Sequence, residues 1–269
     1  MIPPSFTYAR ATSVDEALAL AAEHGEDAKY LAGGQSLLAA MKLGLAQPTD
    51  LVDLRQVAEL RAIKVEGGGA SISIGAMARH VEVASSIEIG ARLKALAELA
   101  NQIGDRQVRN RGTLGGSIAN NDPAADYPAA VLALDATIVT DRRKIPADQY
   151  FKGLFQTALD AGEVITSVSF PVPKKAAYQK FKNPASRFAI VGVFVAQTAN
   201  GARVAVTGAG SRGVFRVRAM EDALNKSWSA DAIKSVAVSP ADLQSDLHAS
   251  AEYRAHLINV LAMRAVSAG

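Results

Sequence analysis

The chain contains no cysteine among its 269 residues. It therefore forms no disulfide, supplies no thiolate nucleophile, and holds no zinc finger or iron–sulfur cluster through its own side chains. Redox chemistry in this protein would have to come from a bound organic cofactor.

Several other classes of protein are disfavoured by what the charge and hydropathy patterns lack. Lys and Arg number 29 against 26 Asp and Glu, and these charges are scattered rather than blocked, which gives no support to a nucleic-acid or membrane-surface role. The longest clean apolar stretch, 188–196, is too short to span a membrane, and residues 1–10 lack the pattern of a signal peptide. We expect a soluble, cytoplasmic protein with no nucleic-acid partner.

Histidine is also scarce, and its spacing is uninformative. The four histidines show no ligand spacing such as H-E-x-x-H. We therefore predict no metal site on this chain. The residues concerned are His24, His80, His248 and His256.

The first half of the chain alternates between helix and strand signals. Ser13-Val14-Asp15-Glu16 has the pattern of a capping box, and Gly25 ends the apolar periodicity that follows it. The helices predicted in this half cover about 14–24, 37–43, 91–103 and 128–134, and the strands cover 28–31, 51–54, 71–75 and 136–140.

From about residue 164 the pattern changes to strands separated by turn signals. Pro171 and Pro173, followed by two lysines, mark the boundary, so we predict one domain over 1–172 and a second over 173–269. The runs 164–170, 177–182, 189–197 and 202–207 indicate an antiparallel meander, and helices near 219–225, 230–236 and 251–265 close the chain.

Two glycine-rich turns are the candidate chemical motifs. Residues 32–36 (AGGQS) and 112–117 (GTLGGS) each follow predicted extended chain and precede a possible helix. Successive backbone N–H groups at such a turn cradle phosphate, glycine permits its close approach, and the hydroxyls of Ser36, Thr113 and Ser117 add donors. Either motif alone is also consistent with a tight structural turn. The pair, about 80 residues apart, predicts a site for the two phosphates of one dinucleotide.

A third glycine motif, 208–213, fits G-x-G-x-x-G but lacks the required context. A Rossmann site needs a helix that opens within the motif and an acidic residue about 20 residues on, at the end of a second parallel strand. Here β-branched residues in 214–217 delay the helix, and position 228 is Trp. We predict a plain strand-to-helix turn.

With their neighbours, the first two motifs resemble the FAD-binding medium subunit of the molybdenum hydroxylases, the family of xanthine dehydrogenase and carbon monoxide dehydrogenase. The resemblance implies an α+β fold, in which a two-subdomain FAD-binding domain (PCMH/vanillyl-alcohol-oxidase-like) precedes a C-terminal domain of antiparallel sheet with helices. It rests on residues 32–38 with 41–43, on 107–119 with 122–126, and on 181–187 and 251–257 towards the C-terminus.

The same resemblance implies roles for individual residues. Asp126 matches an acid that holds the ribose or adenine side of FAD, Lys182 matches a basic residue near the flavin, and Ile103 and Ile165 match apolar contacts to its rings. From the residues alone, Asp126 could also be an ordinary acid at a helix N-terminus and Lys182 an ordinary solvated lysine. Gln35 stands where the family more often has histidine, which matters little because the backbone cradles the phosphate. The two matched loops are Tyr30, Leu31, Ala32, Gly33, Gly34, Gln35, Ser36 and Leu37, and Thr113, Leu114, Gly115, Gly116 and Ser117.

The resemblance further implies a division of labour between subunits. The cofactor carries the chemistry, so no catalytic acid or base is needed from this chain. A large partner subunit with a molybdenum cofactor would oxidise and hydroxylate the substrate, and a small subunit with two [2Fe-2S] clusters would pass electrons to non-covalent FAD on this chain. The FAD would then reduce an external acceptor, within an α2β2γ2 complex. The substrate stays open because it binds another chain.

Two other functions stay open on the sequence. A self-contained flavin reductase of the same broad fold, like UDP-N-acetylenolpyruvylglucosamine reductase, would also have two glycine loops, but it would need its own substrate pocket and a proton donor. A flavin-binding or partner-binding module without turnover would keep the loops, while no donor would reduce its flavin.

Overall fold

The computed structural model describes residues 3–25 and 27–269. Its strands are β1 (Thr7–Arg10), β2 (Ala28–Leu31), β3 (Asp50–Asp53), β4 (Ile63–Glu66), β5 (Ser71–Gly75), β6 (Thr137–Thr140), β7 (Lys144–Pro146), β8 (Phe151–Gly153), β9 (Gln156–Thr157), β10 (Ile165–Pro171), β11 (Lys175–Lys182), β12 (Ala189–Thr198), β13 (Gly201–Thr207) and β14 (Phe215–Arg216).

Along the described chain, helices and strands alternate only as far as β3, six helices follow one another between β5 and β6, and three lie at the end; the alternation expected for the first half therefore holds only for its beginning. The helices are α1 (Val14–His24), α2 (Leu37–Lys42), α3 (His80–Ser85), α4 (Ile87–Arg92), α5 (Lys94–Asn101), α6 (Arg106–Arg111), α7 (Leu114–Asn120), α8 (Tyr127–Ala133), α9 (Ala147–Tyr150), α10 (Arg218–Lys226), α11 (Ala230–Ile233) and α12 (Ala251–Ala268). Within the described ranges, no helix combines the length and the apolar character needed to cross a membrane.

The N-terminal part is a parallel sheet in the order β1-β3-β2, packed against α1. Helix α1 has the predicted bounds, and the Ser13 side chain accepts a hydrogen bond from the Glu16 N–H at 3.1 Å. The reciprocal bond of the predicted capping box is shifted by one residue, because the Glu16 carboxylate accepts from the Thr12 N–H instead. Gly25, with a φ of +79°, ends the helix as expected.

The second sheet is antiparallel, in the order β4-β5-β10-β6-β7. Its middle strand, β10, is the run that the sequence pattern assigned to the C-terminal meander, and that expectation is wrong. Strand β10 pairs with β5 and β6 on its two sides, and Val168 and Phe170 are fully buried in the core beneath. Its partners lie about 30 and 95 residues away in the sequence, so local pattern could not assign it to a sheet.

Two predicted helices have different bounds in the structure. The helix expected over 91–103 is two helices, α4 and α5, which meet at Leu93, where φ is −128° and ψ is 47°. This break lets Leu93 bury its side chain, of which 2% stays exposed. The helix expected over 230–236 ends at Ile233.

The C-terminal sheet is an antiparallel meander in the order β11-β12-β13-β14, in which β11, β12 and β13 correspond to the last three predicted runs and β14 was not predicted. Side chains alternate across β12. Val193 and Val195 pack into a cluster with Leu257 and Leu261 of α12, whereas Phe194 faces the core of the N-terminal half. Because β12 is covered on both faces, its sequence is a continuous apolar run.

Ion pairs add to the contact between the two halves. The buried Arg203 of β13 bonds to the carboxylates of Asp135 and Asp148, and Arg216 of β14 also reaches Asp148, at 2.9 Å. The predicted domain division at residues 172 and 173 stays a prediction, and it falls in the connection between β10 and β11.

Candidate functional site

The two glycine motifs touch in the folded chain. Gly33, in the first motif, lies directly against the backbone of Arg111 and Gly112, at the start of the second. A Cβ at Gly33 would overlap the Arg111 carbonyl oxygen and lie 2.9 Å from the Gly112 Cα. Glycine is therefore required at position 33 for this approach. The two motifs that the sequence predicted to share one dinucleotide therefore lie side by side, and their binding of it stays a prediction.

The first loop has the geometry expected of a phosphate cradle. It leaves the end of β2, turns at Gly34, where φ is +77°, and enters α2. Within the described part of the chain, the backbone N–H groups of residues 33–37 donate to no protein acceptor. The carbonyls of Gly34 and Ser36, by contrast, accept from the N–H groups of Leu38 and Ala40. Consecutive free donors at the start of a helix suit an anion.

The second motif differs from the expectation. The short helix α6, not extended chain, precedes it, and two of the motif's glycines, Gly115 and Gly116, lie in the first turn of α7. The N–H groups of Leu114 and Gly115 donate to the carbonyls of Ala78 and Ala76, at 3.0 and 2.8 Å. The N–H of Gly116 donates to the Thr113 hydroxyl at 3.1 Å. The expectation that this motif offers successive free N–H groups is therefore wrong in this structure.

The glycines of the second motif have a steric role. A Cβ at Gly115 would come within 2.5 Å of the Ala76 Cβ, and one at Gly116 would lie 2.8 Å from the Thr113 hydroxyl oxygen and 3.4 Å from the Ala32 Cβ. These glycines let α7 pack closely on the strand-to-helix connection behind it and against the first loop.

Asp126 lies at the contact between the two halves of the protein and is 4% exposed. Its carboxylate accepts hydrogen bonds from the Tyr178 hydroxyl at 2.5 Å and from the Lys180 Nζ at 2.9 Å. Burial raises the pKa of Asp126, and the charge of Lys180 opposes that rise. A Cβ at Gly192 would overlap the Tyr178 hydroxyl oxygen, so glycine there makes room for the tyrosine. Asp126 is therefore bonded within the protein, and its contact with FAD stays a prediction.

The residues expected beside the flavin rings lie in different environments. Lys182 is exposed, two residues beyond the buried Lys180 on the same strand. Ile103 is half-buried next to Gly104, whose carbonyl oxygen lies 3.4 Å from the Arg187 Nη1 of the C-terminal half. Ile165 is 6% exposed and belongs to the main core. Their contacts with the cofactor stay predictions.

Tyr30 links the N-terminal sheet to the loop before β10. Its hydroxyl donates to the Gly162 carbonyl at 3.1 Å. The next residue, Glu163, accepts from Arg143 and Thr140, and hydrogen bonding from Arg143 lowers its pKa to about 2. Leu31 is buried with Met41 in a small apolar cluster, and its carbonyl oxygen accepts from the Leu54 N–H at 3.0 Å.

Sequence reasoning missed two polar residues of this region. His80 packs beneath Gly112, where a Cβ would lie 2.8 Å from the His80 Cδ2, and burial lowers the pKa of His80 to about 4. Lys180 was passed over in favour of Lys182. The signal that could have found Lys180 is the alternation of side chains along a strand, which puts Tyr178, Lys180 and Lys182 on one face of β11.

Comparison with known proteins decides the family. The family model described as "FAD binding domain in molybdopterin dehydrogenase" matches residues 4–173, and "CO dehydrogenase flavoprotein C-terminal domain" matches 176–268. The chain belongs to the FAD-binding medium subunits of the molybdenum hydroxylases. The predicted family, fold class and FAD cofactor are thereby confirmed. The prediction that the chain is a subunit of an oxidoreductase is confirmed as well.

Individual medium subunits match over nearly their full length. The carbon monoxide dehydrogenase medium chain of Hydrogenophaga pseudoflava is 37% identical over 283 residues, covering 100% of this chain and 98% of the relative. The glyceraldehyde dehydrogenase medium chain of Sulfolobus acidocaldarius is 34% identical, with 98% of each covered. A structure of reconstituted CO dehydrogenase from Oligotropha carboxidovorans matches with a TM-score of 0.90 at 32% identity, covering 99% of this chain and 98% of that one.

The residues of this medium subunit fit FAD. The free N–H groups of residues 33–37 can hold a diphosphate, and the close approach of Gly33 to Arg111 leaves no room for a Cβ. The hydroxyls of Ser36 and Ser117 lie in the same two motifs and can add hydrogen bonds.

Proposed function

We propose that this chain is the electron-transfer subunit of a heteromeric molybdenum hydroxylase. In this proposal it receives electrons from two [2Fe-2S] clusters on a small partner subunit, and a large partner subunit holds the molybdenum cofactor. The complex is a cytoplasmic α2β2γ2 assembly. Bound FAD supplies the redox chemistry, accepting electrons from the clusters and delivering them to an external acceptor.

The observation that carries the proposal is the first loop. Its N–H groups at 33–37, which have no acceptor among the described residues and lie beside the second motif, support a site for a diphosphate. The protein's own contribution is to bind and orient the cofactor, and Thr113 supports this by capping α7 and fixing the position of Gly116.

The residue content supports a role within a complex. The chain has no cysteine, so clusters that feed its flavin must be held by another chain. The relatives at 34–37% identity are named as medium chains of dehydrogenases, which supports the presence of larger and smaller partners.

We expect the isolated full-length chain to bind one FAD without a covalent bond. The physical reason is that the loop offers hydrogen bonds to a diphosphate, whereas the sequence has no cysteine, and no histidine at a plausible attachment site, to link the flavin ring. The measurement is heat denaturation followed by chromatography of the supernatant, which should contain FAD in a one-to-one ratio to protein.

The same preparation tests the division of labour. The isolated chain should oxidise no substrate of the family, although its flavin should accept electrons from an artificial donor. Flavin that stays with the precipitate, or FMN in the supernatant, would contradict the FAD site. Substrate-dependent dye reduction by the chain alone would favour a self-contained reductase.

A further inference from the structure

The third glycine motif lies against the chain that follows the second. Residues 122–126 lie between α7 and α8, and we refer to them as the α7–α8 segment. The Gly208 N–H donates to the Pro123 carbonyl at 2.8 Å. The Thr207 hydroxyl lies 2.6 Å from the Ala125 carbonyl oxygen and 3.1 Å from that of Pro123, and because it has one proton it donates to the nearer oxygen. The end of β13 therefore bonds two carbonyls of the α7–α8 segment.

The end of β13 is itself held firmly by the C-terminal half. Thr207 is fully buried. Gly208 has a φ of +81°, and a Cβ there would overlap the Ala189 carbonyl oxygen, so this position requires glycine. The buried guanidinium of Arg254, in α12, donates to the carbonyls of Ile190 and Gly208 at 2.6 and 2.8 Å. The residues that touch the α7–α8 segment are therefore fixed in place from behind.

Helix α7 connects this contact to the first glycine loop. The helix has seven residues and is therefore about 10 Å long. Its first turn contains Gly116, where a Cβ would lie 3.4 Å from the Ala32 Cβ of the first loop. Its other end continues through Asn121 into the α7–α8 segment. A shift of that segment would move α7 against the loop whose N–H groups at 33–37 support a diphosphate.

We propose that Thr207 and Gly208 are positioning residues for the FAD site, which act from the C-terminal half through the α7–α8 segment. This inference rests on the proposed function, because it takes the first loop to hold FAD. It gives the third glycine motif a role that its G-x-G-x-x-G pattern does not predict, since the N–H of its first glycine donates to Pro123. By linkage, bound FAD strengthens the contact of β13 with the segment by the same factor as the contact strengthens FAD binding.

Calorimetric titration of the FAD-free, full-length chain with FAD tests the proposal on the wild type, Thr207→Val, Thr207→Ser and Thr198→Val. Thr198 is the matched control, because it is also buried and its hydroxyl donates to the Gly201 carbonyl at 2.9 Å. That bond lies at the opposite end of β13, about 20 Å along the strand. We expect Thr207→Val to bind FAD about tenfold more weakly than the wild type. Thr207→Ser, which keeps the hydroxyl, and Thr198→Val should bind FAD like the wild type.

Urea denaturation of the same proteins separates positioning from a role in stability alone. Each valine variant loses one buried bond from a hydroxyl to a carbonyl, so both should be less stable than the wild type. Equal FAD affinity of the two folded valine variants would overturn the proposal while leaving the proposed function intact. Failure of the wild type to bind FAD would instead overturn the proposed function, and this inference with it.

Hydrogen exchange of the wild-type chain tests the same coupling without a substitution, and it decides the matter if Thr207→Val does not fold. Amide exchange in peptides that cover residues 205–210 should become slower when FAD is added. Exchange in the turn at 198–201 should not change. Equal exchange at 205–210 with and without bound FAD would overturn the proposal.

Discussion

Replacing Gly33 with alanine is expected to lower FAD affinity by roughly two to four powers of ten. The new Cβ would overlap the Arg111 carbonyl oxygen, so the two motifs would have to separate. The backbone N–H groups of the first loop would then no longer point at the diphosphate. Losing two charge-assisted hydrogen bonds, each about 1.5 to 3 kcal/mol, gives that range. Titration of the FAD-free variant, with circular dichroism to confirm folding, measures the effect.

Gly90→Ala is the matched control for this experiment. Gly90 lies within α4, and a Cβ there would meet nothing within 4 Å. Its FAD affinity should equal that of the wild type, and its stability should be unchanged or higher by about 0.5 to 1 kcal/mol. Gly210, in the third glycine motif, is unsuitable as a control because a Cβ would lie 2.8 Å from the Phe215 ring. Wild-type FAD affinity in folded Gly33→Ala would contradict the loop assignment.

Lys180→Met should reduce the free energy of unfolding by about 3 to 5 kcal/mol. The substitution introduces an apolar side chain of similar length but leaves the carboxylate of Asp126 buried without its cation; among the described residues, the Tyr178 hydroxyl is then its one side-chain partner. The loss should be smaller at low pH. Without Lys180 the folded-state pKa of Asp126 rises further, so protonation relieves the buried charge, and the penalty grows as the pH rises through that pKa.

The neighbouring Lys182→Met provides the control for stability. Its side chain is exposed on the same strand, so the expected change is within about 0.5 kcal/mol. Adding Asp126→Asn to Lys180→Met removes the unpaired charge and should restore part of the lost stability. Urea denaturation of the four proteins measures these differences. Equal stability of Lys180→Met and Lys182→Met would show that the buried pair does not hold the two halves together.

Local sequence signals predicted the elements that depend on local chemistry. Helix α1 follows from the Ser13 cap and the Gly25 stop, and the first loop follows from β2 running into consecutive glycines. Helix α6 was missed because residues 106–111 are almost entirely polar and carry no apolar periodicity. Its start is fixed by Asp105, which accepts from the Val108 N–H at 2.8 Å.

The site was predictable as a set of loop residues but not as a set of contacts. The approach of Gly33 to Arg111 joins positions 78 residues apart, and the Lys180 to Asp126 pair joins positions 54 residues apart. The sequence pattern indicates that a glycine turn exists, whereas the folded structure determines which backbone N–H groups have no hydrogen-bond acceptor in the protein. That is why, among the described residues, the N–H groups of the first loop have no protein acceptor whereas most of those of the second motif are bonded within the protein.

Anaerobic stopped-flow reduction of the native complex tests the central claim most directly. The complex is purified through this chain and mixed with the substrate that it oxidises, and the iron–sulfur and flavin absorbances are followed separately. The account predicts that the clusters are reduced at equal rates in the wild-type complex and in one assembled with Gly33→Ala, whereas only the wild type reduces the external acceptor. Acceptor reduction by the flavin-free complex at the wild-type rate would contradict electron transfer through this chain.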